Sequence, residues 1–215
     1  MTEKSAASPD PVRIETLKID PGGVRNDLEG LGNLLHACVC AGASVSFVLP
    51  FSHDDAKAFW SDQVLPAVND GSRCVVVARS TGNIVGTVQL DLATPPNQPH
   101  RAEVKKLLVH PDARRRGIAR SLMLALEAHA REARRTLLTL DTVTGGPAET
   151  LYRSLGYVAV GAIPGYSLNF NSSVLEATLV MYKKLGTDAP NAFDADTQNL
   201  LESCSDVTRP LWRGF

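Results

Sequence analysis

The 215-residue chain lacks most of the features that would mark a specialised environment. No apolar run reaches the roughly 18 residues a membrane-spanning helix needs, and the opening MTEKSAASPDP has no apolar core of the kind a secretory signal carries. That opening reads as a disordered lead, residues 1–11, into a cytoplasmic protein. Cysteine is scarce: Cys38, Cys40, Cys74 and Cys204 form neither a paired framework nor a metal spacing, so reduced, buried thiols are expected. His36, His53, His100, His110 and His129 are scattered without a ligand spacing, and no metal is expected. Neither sign of charge is in excess, the net being -1, so the overall field gives no reason to expect nucleic acid or a membrane as partner. Any phosphate must be held locally. Internal repeats and low-complexity blocks are also missing.

What remains, 44% hydrophobic and 21% charged residues, suits one globular domain. VRIETLKI (12–19) alternates as a first strand. Leu28, Leu31, Leu34, Leu35, Cys38 and Val39 make a helical face that stops at Gly42. SVSFVLP is extended or loop, and Asp54 is the expected cap of a second helix. RCVVVARS and IVGTVQLDL flank Thr81, Gly82 and Asn83 as a hairpin. RAEVKKLLVH (101–110) is a strand ended by Pro111, followed by a helix burying Ile118, Leu122, Ala125, Leu126 and His129. TLLTLD, the helix AETLYRSLG, YVAVGAI and SVLEATLVMYKKL complete the order.

Strand and helix alternate in the second half, which favours parallel pairing there, while the hairpin favours antiparallel pairing before it. The expectation is an α/β (α+β) fold, a mixed sheet with helices on both faces. From Thr187 periodicity weakens, so residues 12–186 are expected to be the domain and 187–215 an extension, with one short helix in QNLLESC. Leu211, Trp212 and Phe215 in that extension are costly to leave in water.

One stretch, HPDARRRGIARSLM (110–123), places three arginines and Gly117 at a helix mouth. A helix start leaves about four N–H groups unpaired and carries about half a positive charge, which suits an anion. Glycine there lets the anion approach the backbone, whereas a solvated helix start gains nothing from a residue costing about 1 kcal/mol against alanine.

Together, RRRGIA (114–119) after LLVHP, and AETLYRSLGY (148–157), resemble the paired signatures of the GCN5-related N-acetyltransferases. Within that superfamily HRAEVKKLLVHPDARRRGIARSLM, LLTLDTVTGGPAETLYRSLGYVAVGAIPGY and GASVSFVLPFSHDDAKAFW look like the tabtoxin resistance protein branch. The resemblance covers roughly residues 12–185. It implies a mostly antiparallel sheet of six to seven strands with a splayed strand pair, acetyl coenzyme A as co-substrate, and direct transfer to an amine. Where the family usually has Asn ahead of the second signature, this chain has Gly145.

The resemblance also implies roles. Arg114, Arg115, Arg116, Gly117, Ile118, Ala119 and Arg120 would hold the pyrophosphate, mostly through backbone amides. Leu107 N–H would meet the developing oxyanion, with Leu108 and Val109 pairing to the pantetheine. Glu103, eleven residues before Arg114, and Asp141 would accept the amine's proton and orient the substrate; Tyr152 would be the general acid. Each residue has a plainer reading. Glu103 could pair with Arg101 or Lys105, Asp141 could cap a turn, and Tyr152 could simply pack in the core.

Ser44 and Phe47, on the Gly42–Pro50 segment, and Tyr166 of PGY are the expected substrate contacts, although Tyr166 suits a surface turn as well. The expected acceptor is a small amine, an amino acid analogue or toxin-like compound, with a homodimer among the expected assemblies. The rivals are a protein N-terminal or lysine acetyltransferase, and a coenzyme A-binding regulatory module without chemistry.

Overall fold

A computed structural model describes residues 11–18 and 24–186. The expected lead before residue 11, the QNLLESC helix and the remainder of the extension, with Cys204, Leu211, Trp212 and Phe215, lie outside the described residues.

Seven strands form one sheet in the order β1-β2-β3-β4-β5-β7-β6. They are β1 (Arg13–Thr16), β2 (Arg73–Ser80), β3 (Asn83–Asp91), β4 (Arg101–Val109), β5 (Leu137–Val143), β6 (Val158–Leu168) and β7 (Leu175–Lys184). The helices are α1 (Val24–Cys40), α2 (His53–Ala58), α3 (Leu65–Asn69), α4 (Ile118–Glu132) and α5 (Pro147–Ser154). Between α2 and α3 the chain widens into a π-helical turn, Phe59–Val64, so these three pieces are one continuous rod. Its start is fixed not by Asp54 but by Ser52, whose hydroxyl accepts from Asp55 N while Asp55 accepts from Ser52 N, a capping box.

Among the described residues parallel pairing is confined to β4 and β5, over Arg101–Glu103 against Leu137–Thr139. The expectation of parallel pairing throughout the second half fails because β7 inserts between β5 and β6, antiparallel to both. Beyond Glu103 and Thr139 the ladder between β4 and β5 stops, while β4 continues on β3 and β5 continues on β7. The two strands therefore splay, leaving a backbone edge open between them.

Alternation sends side chains to two cores. Val76, Ala78, Val88 and Leu90 face Leu122, Met123 and Leu126 of α4. Val75 and Val77 face Leu31, Leu34, Leu35 and Trp60 on the other side. In β4 the alternation breaks: Gln89 faces Lys105 and Thr87 faces Leu108, so Lys106 and Leu107 together oppose Val88. Lys106 takes φ +50° at this bulge. Ala102 and Val104 accordingly join the α4 side before the bulge, whereas Leu108 joins the α1 side after it.

Two corrections follow for α4 and the cysteines. The stripe on α4 buries Met123, Ala130 and Glu127 as well, and leaves Ala125 and His129 only half-buried. Glu127 is 2% exposed and pairs with Lys183 of β7 at 2.6 Å, which compensates a charge whose desolvation would otherwise be costly. Cys38 is buried, and that burial pushes its thiol up to about 11, with Arg114 opposing; Cys40 is exposed instead.

Candidate active site

The mouth of α4 is shaped by two left-handed residues, Arg115 at φ +64° and Gly117 at φ +76°. The first is strained for a non-glycine residue; the second needs glycine. A Cβ built on Gly117 would meet nothing within 4 Å, so any side chain there would project into the open space before the helix. Gly117 is the N-cap of α4 and supplies no capping side chain, so the first-turn amides of Ile118, Ala119 and Arg120 face outward without a side-chain cap. These are the properties of an anion seat, and the residues present fit a pyrophosphate.

The helix is held against β3 by close approach. A Cβ on Gly86 would stand 3.1 Å from Ile118, Leu122 and the Leu108 carbonyl, so the first turn of α4 rests directly on that backbone. The arginines diverge: Arg114 turns back to donate to the Val109 carbonyl at 3.3 Å, Arg120 reaches Ser154 at 3.4 Å, and Arg115 and Arg116 are exposed.

A cleft of about 230 Å³ is lined by Ser44, Phe47, Asp141 and Tyr166, brought together from three separate segments with Ser46 and Thr178 among their neighbours. Thr178 donates to Asp141 at 2.9 Å. The loop carrying Ser44 and Phe47 is tied at one end to the β6–β7 hairpin, Leu49 N donating to the Phe170 carbonyl at 2.7 Å. At its other end Lys106 donates to Val45 O at 2.7 Å and Ser46 Oγ at 2.8 Å.

Glu103 is not part of that lining. It pairs with Lys105 at 3.5 Å, at the margin of a network in which Asp91 binds both Lys105 and Arg73. Burial works against the Asp91 charge, but the Lys105 hydrogen bond, the Ala93 amide and both cations hold its carboxyl below the usual range. The plainer reading of Glu103 thus describes its contacts, while Asp141 sits in the cleft.

Tyr152, on the buried side of α5, is 6% exposed and packs with its ring tilted 58° to that of Tyr157, centroids 5.6 Å apart. Burial first, then the charge of Asp141, push its phenol well above the ordinary tyrosine value, so the proton stays on at neutral pH. Leu107 and Val109 are half-buried along the splayed stretch of β4, and Leu108 is buried behind them.

Two residues with a bearing on the site have no motif to reveal them. Lys106 gains its position only from the bulge. Gly86 looks like any strand glycine. The signal for the first is a lysine pair, KK, interrupting an otherwise alternating strand; for the second it is a glycine inside a strand pattern, which marks close approach.

Comparison with known proteins agrees with this geometry. The acetyltransferase (GNAT) family model matches residues 42–157. An uncharacterized N-acetyltransferase from the hisH-hisA intergenic region of Azospirillum brasilense is 31% identical over 131 residues, 60% of this chain and 72% of that one. The Salmonella typhimurium yncA structure, a putative acetyltransferase solved with acetyl-CoA, superposes with TM-score 0.66 at 18% identity, over 84% of this chain and 98% of that one. The Brucella melitensis ribosomal-protein-alanine N-acetyltransferase gives 0.65 at 22%, over 80% and 99%. The chain belongs to the GNAT acetyltransferase family, and is an acetyl coenzyme A-dependent N-acetyltransferase.

Proposed function

We propose that the acceptor is a small-molecule amine, an amino acid analogue or toxin-like compound, acetylated by direct transfer in a ternary complex. The observation that carries this reading is the 230 Å³ cleft uniting Ser44, Phe47, Tyr166 and Asp141 beside the splayed strands. Its volume is below the roughly 300 Å³ at which pockets for drug-sized ligands begin. Within the family the tabtoxin resistance branch remains the proposed kin, residues 12–186 the catalytic domain, and the cytoplasm the compartment.

Acetyl coenzyme A supplies an activated thioester. The chain's own groups do the rest. The outward amides of residues 118–120, with Arg114, Arg115, Arg116 and Gly117, bind the pyrophosphate and so fix where the thioester lies. The backbone of Leu108 and Val109 would pair with the pantetheine along the open edge of β4, and Leu107 N–H would donate to the acetyl oxygen.

An ammonium has no lone pair, so the acceptor must first lose a proton. For an α-amino group that costs about 1.4 kcal/mol at pH 7, and for a lysine side chain about 4.6 kcal/mol. Asp141 orients the ammonium and accepts its proton; Glu103, held by Lys105, is a more remote base acting through water. Tyr152, protonated at neutral pH, would be the donor to the departing thiolate; its burial and the charge of Asp141 make it a weaker acid, so the donation would rest on position rather than on acidity.

A thiol-release assay over a panel of amines tests the reading. Turnover with small amines is expected. Turnover only with peptide N-termini would favour the activity named for the Brucella protein, and tight acetyl coenzyme A binding without turnover would leave a regulatory module.

A further inference from the structure

The lining of the acceptor cleft contains one charged residue, Asp141. A second charge stands directly behind it. Lys106 Nζ holds Val45 O and Ser46 Oγ, and lies over the rings of Phe47 at 5.3 Å and Phe59 at 5.9 Å. Ser46 and Phe47 both line the cleft, so the ammonium touches two of its lining residues without being one of them. An ammonium has three N–H donors, and these two bonds use two of them.

Among the described residues no carboxylate forms an ion pair with Lys106; the nearby charges are Asp141 on β5, Arg73 on β2, and Glu103 and Lys105 on β4. A half-buried cation without an ion-paired carboxylate carries a desolvation cost, and that cost falls when an anion enters. Burial, then the like charge of Lys105, push this ammonium down to about 8 against the pull of Asp141 and Glu103. Cleft and neighbour together are bipolar: an acid for an ammonium and an unmatched cation for an anion.

We propose that Lys106 is a specificity-determining residue which, with the Ser46 hydroxyl, receives the acceptor's carboxylate, so that the acceptor is a free α-amino acid or analogue rather than a polypeptide N-terminus. The inference rests on the small-amine reading above. A peptide N-terminus offers an uncharged amide where the free amino acid offers a carboxylate, and a polyamine would be attracted by Asp141 yet repelled by Lys106.

The test uses the full chain, saturating acetyl coenzyme A, and the common L-amino acids each supplied as free acid and as carboxamide. For the best acceptor, wild type is expected to favour the free acid at least tenfold in kcat/KM, through KM. Lys106→Met is expected to bring the two forms within about twofold of each other, and calorimetry with acetyl coenzyme A checks that this variant still folds. Should it not fold, wild type alone decides: carboxamides accepted as well as free acids overturn the proposal.

A folded Lys106→Met variant that keeps the full acid preference overturns it too. The ratio of wild-type to variant kcat/KM for the free acid, which cancels the acceptor's own ionisation, should fall toward one between pH 7 and pH 9 as Lys106 loses its charge; a flat ratio counts against it. No turnover with any acid or carboxamide, alongside turnover of other small amines, would overturn the proposal alone, whereas no turnover with any small amine despite cofactor binding would bring down the small-amine reading itself.

Discussion

The proposed cofactor seat at the mouth of α4 and the proposed acceptor cleft are made in opposite ways. The seat is continuous in sequence: a short run from Arg114 to Arg120 carries the arginines, both left-handed residues and the uncapped amides. The cleft is assembled from the loop around Ser44–Val48, the end of β5, and the β6–β7 hairpin, with Lys106 behind them. A local device is specified by backbone conformation, so one residue can abolish it. A cleft gathered from distant segments is specified by packing and tuned by many residues, which is how members of one fold family come to differ in substrate.

The largest effect should come from breaking the seat. Gly117→Gln places a side chain where the proposed anion would lie and forces φ +76° on a residue that disfavours it. With two charge-assisted amide bonds lost at about 1.5–3 kcal/mol each, calorimetry should report acetyl coenzyme A affinity weakened by on the order of a hundredfold or more. Next, Tyr152→Phe should lower kcat by about 10²–10⁴, the range for loss of a general acid, with cofactor Kd nearly unchanged.

The third prediction turns the two carboxylates against each other. Asp141→Asn should reduce kcat/KM for the acceptor by roughly a hundredfold, and Glu103→Gln should cost several-fold at most. Equal losses would mean that the network around Lys105 belongs to the chemistry after all. The smallest effect falls on stability. Gly86→Val overpacks the contact with α4 by about 1–3 kcal/mol, lowering the melting temperature by roughly 2–4 °C per kcal/mol in a thermal scan, and loosening the seat only secondarily.

The same contrast explains what could be read in the sequence. The order of elements, the apolar faces of α1 and α4, and the RRRGIA turn follow from spacing and from glycine placement, which are local signals. The insertion of β7 between β5 and β6 is invisible because a strand's neighbours depend on the whole sheet, and YVAVGAI and SVLEATLVMYKKL look equally suited to either position. Glu127 escaped notice for a similar reason: its burial depends on Lys183, 56 residues away. Lys106 was legible only as one of two adjacent lysines, since a bulge is a property of the pair of strands and not of either alone. Ser52 took the capping role from Asp54 because only Ser52 has Asp55 three residues on to complete the reciprocal bond.

The late strand β7 also governs how the protein comes into being. A nascent chain that has emerged only through α5 and β6 has β5 without its antiparallel neighbour and β6 with no partner at all, since β7 is the strand that joins them. Asp141 then lacks Thr178, and the cleft has no far wall. The turn at the mouth of α4 leans first on earlier chain, through Gly86 and the Leu108 carbonyl, but Arg120 also reaches Ser154 of α5 and Glu127 reaches Lys183 of β7. Residues 175–184 thus close three things at once: the pairing of β5 with β6, the partner of Asp141, and the counter-ion of the buried Glu127 on α4.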